Sequence, residues 1–302
     1  DGQCVNNPVN VSYTVADNLP GPLKMCELLI DGVVVKTDAP CPQGDHTAGP
    51  FTLSEGTHTV QVRVTDDCDN VGTSDAVTFK VDDTPPTVTV DAPAEGQCVK
   101  SPVSVTYTVS DNLAGLLERC EVLLDGVVVH TDAPCAQGTH TVGPFALSDG
   151  PHTVQVRAVD DCGNVGTSTL VAFKVDNTPP TARVDAPTEG QCVKSPVSVT
   201  YTVSDNLPDP LKRCEVLIDG VVVHTEAPCD QGTHTVGPFI LSDGAHTVQV
   251  RAVDDCDNVG SSTVVSFKVD NTPPTATVTA PQEGQCTGQS VTVSYSVADN
   301  LP

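Results

Sequence analysis

The sequence predicts an all-β chain laid out as a linear array of 94-residue modules, each a Greek-key β-sandwich of two sheets. Three observations carry this. The cysteines recur with one period: Cys4, Cys98, Cys192 and Cys286 are 94 residues apart, as are Cys26, Cys120 and Cys214, then Cys41, Cys135 and Cys229, then Cys68, Cys162 and Cys256. Within a period, apolar residues alternate with polar ones as in half-buried strands, and no segment keeps a helical period. Turn-forming residues punctuate each period at regular short intervals, as expected of about seven short strands in a sandwich. Residues 85–178 and 179–272 differ at only 16 of 94 positions, so one module is repeated.

The strands follow in order in the third period. Arg183 to Ala186 reads as a short first strand, and Val197, Val199, Tyr201 and Val203 form the buried face of the second. Cys214 to Ile218 and Val221 to Thr225 flank Asp219-Gly220, a dipeptide suited to a two-residue hairpin turn. Phe239 to Leu241 reads as the next strand and leads through Ser242-Asp243-Gly244 to Val248, Val250 and Ala252; Val265, Phe267 and Val269 make the last. The Thr-Pro-Pro strings at 84–86, 178–180 and 272–274 interrupt strand pairing and mark the boundaries. The frame is then module 1 over 1–84, which lacks its first strand, complete modules over 85–178 and 179–272, and the start of a fourth over 273–302. This is expected of a window on a longer array.

Composition narrows the function. Asp+Glu number 39 against Lys+Arg 14, a formal net charge of −25 over 302 residues, which argues against nucleic acid and anionic membrane as partners. Aromatics are 3% and tryptophan is absent, so several small cores are expected rather than one large one. No run approaches the roughly 18 apolar residues of a membrane helix, and the opening Asp-Gly-Gln-Cys does not read as a secretory signal.

The string Arg-Cys-Glu-Val-Leu-Ile-Asp-Gly at 213–220, the downstream Cys229, Leu-Ser-Asp-Gly-Ala-His-Thr-Val at 241–248, Arg-Ala-Val-Asp-Asp-Cys-Asp-Asn at 251–258 and the Val-Asp-Asn-Thr-Pro-Pro linker resemble tandem bacterial immunoglobulin-like (Ig-like) repeats of large secreted and surface proteins. The resemblance covers every period. It implies an Ig-like fold and a role as stalk, spacer, adhesin shaft or carbohydrate-associated repeat, since one fold serves all of these. One departure is the cysteine in the turn before the last strand, at Cys68, Cys162 and Cys256.

Four cysteines per acidic module, without the short Cys-x(2–4)-Cys knuckles of a zinc site, point to disulfides and therefore to an extracellular or cell-surface location. Family resemblance implies a hairpin bond within each module: Cys26 with Cys41, Cys120 with Cys135 and Cys214 with Cys229. In the expected topology the first cysteine of a module, just before its second strand, lies at the carboxy-terminal end and the fourth at the amino-terminal end, about a strand length apart and beyond disulfide reach. The remaining bonds are then expected between modules, Cys4 with Cys162 and Cys98 with Cys256. A bond of Cys98 with Cys162 inside one module is the alternative.

No catalytic or phosphate-binding motif is found, and every polar cluster recurs with the repeat, so no enzyme is expected. His140, His152, His234 and His246 read as solvated strand residues, with zinc or copper binding the lesser alternative. Acidic residues converge on each junction: Asp82, Asp83, Asp111, Asp160 and Asp161 at the first, and Asp176, Asn177, Asp205, Asp254 and Asp255 at the second. No cofactor is required, but this pattern suits calcium, which takes six to eight oxygen ligands; the suitability of Asp and Asn for turns is the plainer explanation.

The leading expectation is a structural repeat segment of an extracellular rod or filament, its modules joined by proline-containing linkers and stapled by disulfides. Its partners are neighbouring modules of the same chain and lateral copies in a fibre. The alternative is stalk or binding repeats of a bacterial surface adhesin that contacts carbohydrate or a host surface, for which an exposed aromatic platform would be needed.

Overall fold

The structure, a computed structural model, describes residues 2–301; its regular elements are all strands, and no helix among them is long and apolar enough to cross a membrane. Two compact units divide the chain. One comprises the residues up to Gln97 with Pro102–Leu147 and Pro151–Lys174, the other Cys98–Ser101, Ser148–Gly150 and Val175 onward.

In the second unit the third repeat forms two sheets. Thr181–Ala186, Val197–Ser204 and Gly232–Phe239 make a three-stranded antiparallel sheet in that order. The other sheet runs Cys192–Val193, Val265–Val269, Gly244–Val253, Arg213–Ile218 and Val221–Glu226, with Val259–Ser261 paired to the end of Gly244–Val253. Alternation explains the layers: Val197, Val199, Tyr201 and Val203 point inward from one sheet, and Val216, Ile218, Val248, Val250, Phe267 and Val269 from the other, closing a single core. The hairpin between Arg213–Ile218 and Val221–Glu226 turns at Asp219 and Gly220, both at positive φ (52° and 77°), as a tight two-residue turn requires. Thr275–Ala280 and Ser294–Ala298 then pair antiparallel.

The first unit repeats the plan. Thr87–Ala92, Val103–Ser110 and Gly138–Phe145 form the smaller sheet of the second repeat, and Arg119–Leu124 pairs with both Val127–Asp132 and Gly150–Val159. In the first repeat Val9–Val15 pairs with Gly44–Phe51, and Gln3–Val5 runs parallel to Val77–Val81.

Two elements differ from the sequence reading. The strand expected over Phe239 to Leu241 lies earlier, at Gly232–Phe239. Its outward positions carry threonines whose hydroxyls pair across the sheet, Thr235 with Thr200 and Thr233 with Thr202, each at 3.0 Å, so it lacks an apolar rhythm. The first cysteine of each repeat does not simply precede a strand; Cys4 and Cys192 sit in short strands running parallel to the last strand of their own sheet, opposite Lys80 and Lys268. Two or three residues are too few to show a period.

Candidate functional site

Local sequence builds each junction from the turn Asp-Asp-Cys-Gly/Asp-Asn. In the second repeat the Asp160 Oδ1 accepts from the backbone N–H groups of Cys162 and Asn164 (2.9 and 2.8 Å), and its Oδ2 accepts from the Asn164 amide (2.8 Å). Asp66 makes the same bonds to Cys68 and Asn70, and Asp254 those to Asn258. The fourth residue takes positive φ (Asp69 66°, Gly163 87°, Asp257 62°), which is why Asp or Gly stands there.

In the first unit this preformed turn meets the end of the first repeat. Cys162 is disulfide-bonded to Cys4, with Cα atoms 4.8 Å apart. The Asn164 amide donates to the Asp82 carbonyl (2.8 Å), Asn6 donates to Asn164 Oδ1 (3.0 Å), and Lys80 reaches Asp161 at 3.3 Å. The linker passes directly over Gly166: a Cβ there would lie 1.7 Å from the Pro86 carbonyl oxygen. The second unit holds the same arrangement. Cys256 is bonded to Cys98 (Cα–Cα 5.0 Å), Asn258 donates to the Asp176 carbonyl (3.0 Å), and a Cβ on Gly260 would lie 1.6 Å from the Pro180 oxygen. This glycine escaped the sequence reading; its signal is the Asn-Val-Gly triplet that follows each fourth cysteine.

Beneath each linker three carboxylates converge. One oxygen from each of Asp82, Asp111 and Asp160 lies within 4.8 Å of the others, and Asp176, Asp205 and Asp254 form the equivalent group. Asp82 is 0% exposed and Asp160 1%. Asp82 Oδ1 accepts from Thr84 N–H and the Asn112 amide, whereas Asp82 Oδ2 and Asp111 Oδ1 are buried without a hydrogen-bond partner, as is Asp205 Oδ1. Burial, with Asp160 and Glu55 adding repulsion, holds the Asp82 carboxyl above its ordinary pKa; burial together with Asp82 and Asp160 does the same to Asp111. Asp176 is raised by burial, and Asp205 is pushed to about 6 by burial with Asp176, Asp254 and Asp149 nearby.

Of the ten acidic or amide residues expected at the junctions, these six converge. The other four are exposed and lie outside the groups. Asp83 accepts from the Asn7 backbone and amide, Asp161 faces Lys80, Asn177 accepts from Ser101 N–H, and Asp255 projects from its turn. Two further Cys-containing clusters, Cys4/Asp161/Cys162 and Glu226/Cys229/His234, offer no thiolate because the sulfurs are in disulfides.

The hairpin cysteines are bonded as Cys26–Cys41, Cys120–Cys135 and Cys214–Cys229, with Cα separations of 5.6, 5.6 and 5.7 Å, all at the core end of the hairpin. Cys68, Cys192 and Cys286 are free and exposed. The histidines are not solvated as expected. His152 and His246 side chains are only 9% and 11% exposed, and each holds the hairpin-turn aspartate through Nδ1 at 2.7 Å. His140 and His234 stack on the buried Tyr107 and Tyr201.

A two-sheet sandwich whose opening strand switches to run parallel with the last strand defines an immunoglobulin-like module, and the chain carries these in tandem. Residues 86–156 and 180–250 both match the family described as bacterial Ig domain, so these two segments are bacterial Ig-like repeats in tandem. Similar solved structures include the fibronectin(III)-like modules of Clostridium thermocellum CbhA (21% identity, 61% of this chain and 93% of that one, TM-score 0.36). A 1.5-MDa bacterial ice-binding adhesin is similar at 19% identity (89% and 94% covered, TM-score 0.36), and the ICAM-5 D1–D4 ectodomain at 14% (88% and 74%, TM-score 0.43). No curated protein matches.

Proposed function

We propose that the chain is a non-enzymatic structural segment of an extracellular rod or filament, in which disulfides carry load from each repeat to the next. The observation that supports this most is the pair of overlapping bonds Cys4–Cys162 and Cys98–Cys256, each spanning 158 residues. The shortest covalent route from Cys4 to Cys256 crosses the first bond, returns along residues 98–162 and leaves through the second. Unfolding of residues 5–97 or 163–255 is therefore bypassed rather than drawn out, and only 98–162 stay on the load path. Disulfides of this density persist outside the reducing cytosol, and a high negative charge keeps near-identical repeats from misassociating. Three consecutive exposed valines on each hairpin's edge strand, such as Val127, Val128 and Val129, are the surface on which lateral copies would pack. The carbohydrate-binding alternative gains nothing from Tyr107, Phe173, Tyr201 and Phe267, which are all buried.

Single-molecule stretching tests this reading. Each freed residue adds about 3.3–3.6 Å of contour length, so the reduced chain should extend far beyond the oxidised one. Equal extensions in both states would refute load-bearing by the disulfides.

A further inference from the structure

The cluster of Asp82, Asp111 and Asp160 presents a problem of charge. Two of the three residues are almost fully buried. The charged groups that act on Asp111 are Asp82 and Asp160, and those on Asp82 are Asp160 and Glu55, so each adds repulsion. Isolated carboxylates withdrawn from water are costly without a counterion. The orphaned oxygens are also unusual, because buried polar atoms are almost always satisfied. Asp82 Oδ2 is one such atom on a side chain with no solvent exposure, and Asp111 Oδ1 is another beside it. Around them the other oxygens are held in place: Asp160 by Cys162, Asn164 and its amide, and Asp82 Oδ1 by Thr84 and Asn112. The same residue types meet in the same way 94 positions later, with Asp205 Oδ1 the orphan.

We propose that each of these two junctions binds one calcium ion, ligated by Asp82, Asp111 and Asp160 in the first and by Asp176, Asp205 and Asp254 in the second. Calcium–oxygen distances of 2.3–2.6 Å place two ligands on one ion no more than about 5 Å apart, and the oxygens here lie within 4.8 Å of one another. An all-oxygen set with no free sulfur or imidazole suits a hard cation rather than zinc or copper. Three protein carboxylates leave room for waters, which a flexible 6–8-coordinate ion accepts more readily than magnesium does. The ion would join residues on both sides of the linker, since Asp82 precedes Thr-Pro-Pro whereas Asp111 and Asp160 follow it. The inference deepens the structural reading by giving each junction a second, reversible fastening. Asp270 and Asp299 line a cavity in the corresponding phase, but the described residues bring no third carboxylate to them, so the expected stoichiometry is two.

The test uses the whole oxidised chain, stripped with chelator and titrated with calcium alone by isothermal calorimetry, with circular dichroism to monitor folding. Expected are two sites per chain, one after Asp111→Asn, none after Asp111→Asn with Asp205→Asn, and much weaker binding of magnesium. The change to Asn is nearly isosteric; a variant that loses its fold is replaced by Asp111→Ser at the same position. Absence of saturable binding to the folded parent chain would overturn the proposal, with protons shared among the carboxyls then explaining the clusters. Two sites surviving in the double variant would also overturn it. Either failure leaves the disulfide route untouched, because peptide mapping and stretching report on that separately.

Discussion

Gly166 and Gly260 show how much one missing carbon can matter. At both, a Cβ would penetrate the carbonyl of the linker proline, whereas at Gly72, the same phase of the first repeat, it would meet only Val64 Cγ2 at 3.4 Å. Gly166→Ala is therefore expected to push the linker off its strand and cost about 1–3 kcal/mol, the usual range for overpacking, while Gly72→Ala stays near neutral; thermal unfolding of the two variants makes the comparison. The turn aspartate of the hairpin is a second such residue. Burial alone would lower the His246 pKa, but hydrogen bonds to Asp219 and the Ser242 carbonyl outweigh it and raise it; burial likewise opposes the lowering of Asp219 that His246 and Thr247 produce. The imidazole's contribution is complete below about pH 6.5 and is lost as pH rises through its raised folded value, and the carboxylate's is complete above about pH 4 and is lost as pH falls through its depressed one. The pair should stabilise most between those limits, so Asp219→Asn should lower the melting temperature more at pH 5.5 than at pH 8.5. Equal losses at both would show that His246 stays neutral throughout.

At the level of elements, the sandwich was legible because its core strands keep strict alternation: Val197, Val199, Tyr201 and Val203 are all at most 4% exposed. Gly232–Phe239 was not, because only Val236 and Phe239 bring apolar side chains to the core while its outward threonines pair across the sheet. The candidate site was legible in part for the same kind of reason. Strand direction tells which end of a module a residue occupies, but not which of two adjacent aspartates turns inward; Asp160 is buried and Asp161 faces Lys80. The hairpin bond supports the element that presents the turn aspartate. Replacing Cys120 and Cys135, 15 residues apart, with alanine should cost about 3 kcal/mol by loop entropy, measurable by denaturant unfolding with the long-range bonds intact. A loss well under 1 kcal/mol would mean that the hairpin is held by its strand pairing alone.

For the whole molecule, the account rests on covalent continuity through overlapping disulfides. Any single backbone cut between residues 4 and 256 falls inside at least one of the loops closed by Cys4–Cys162 and Cys98–Cys256. A protease site placed in either linker, at 84–86 or 178–180, should then yield a nicked chain that migrates intact until reductant is added. The most direct measurement is non-reducing peptide mapping of the oxidised protein by mass spectrometry. The account predicts linked peptides carrying Cys4 with Cys162 and Cys98 with Cys256, alongside the three hairpin bonds; a peptide linking Cys98 to Cys162 would contradict it, because that bond closes a single repeat and leaves nothing covalent between neighbours except the linker.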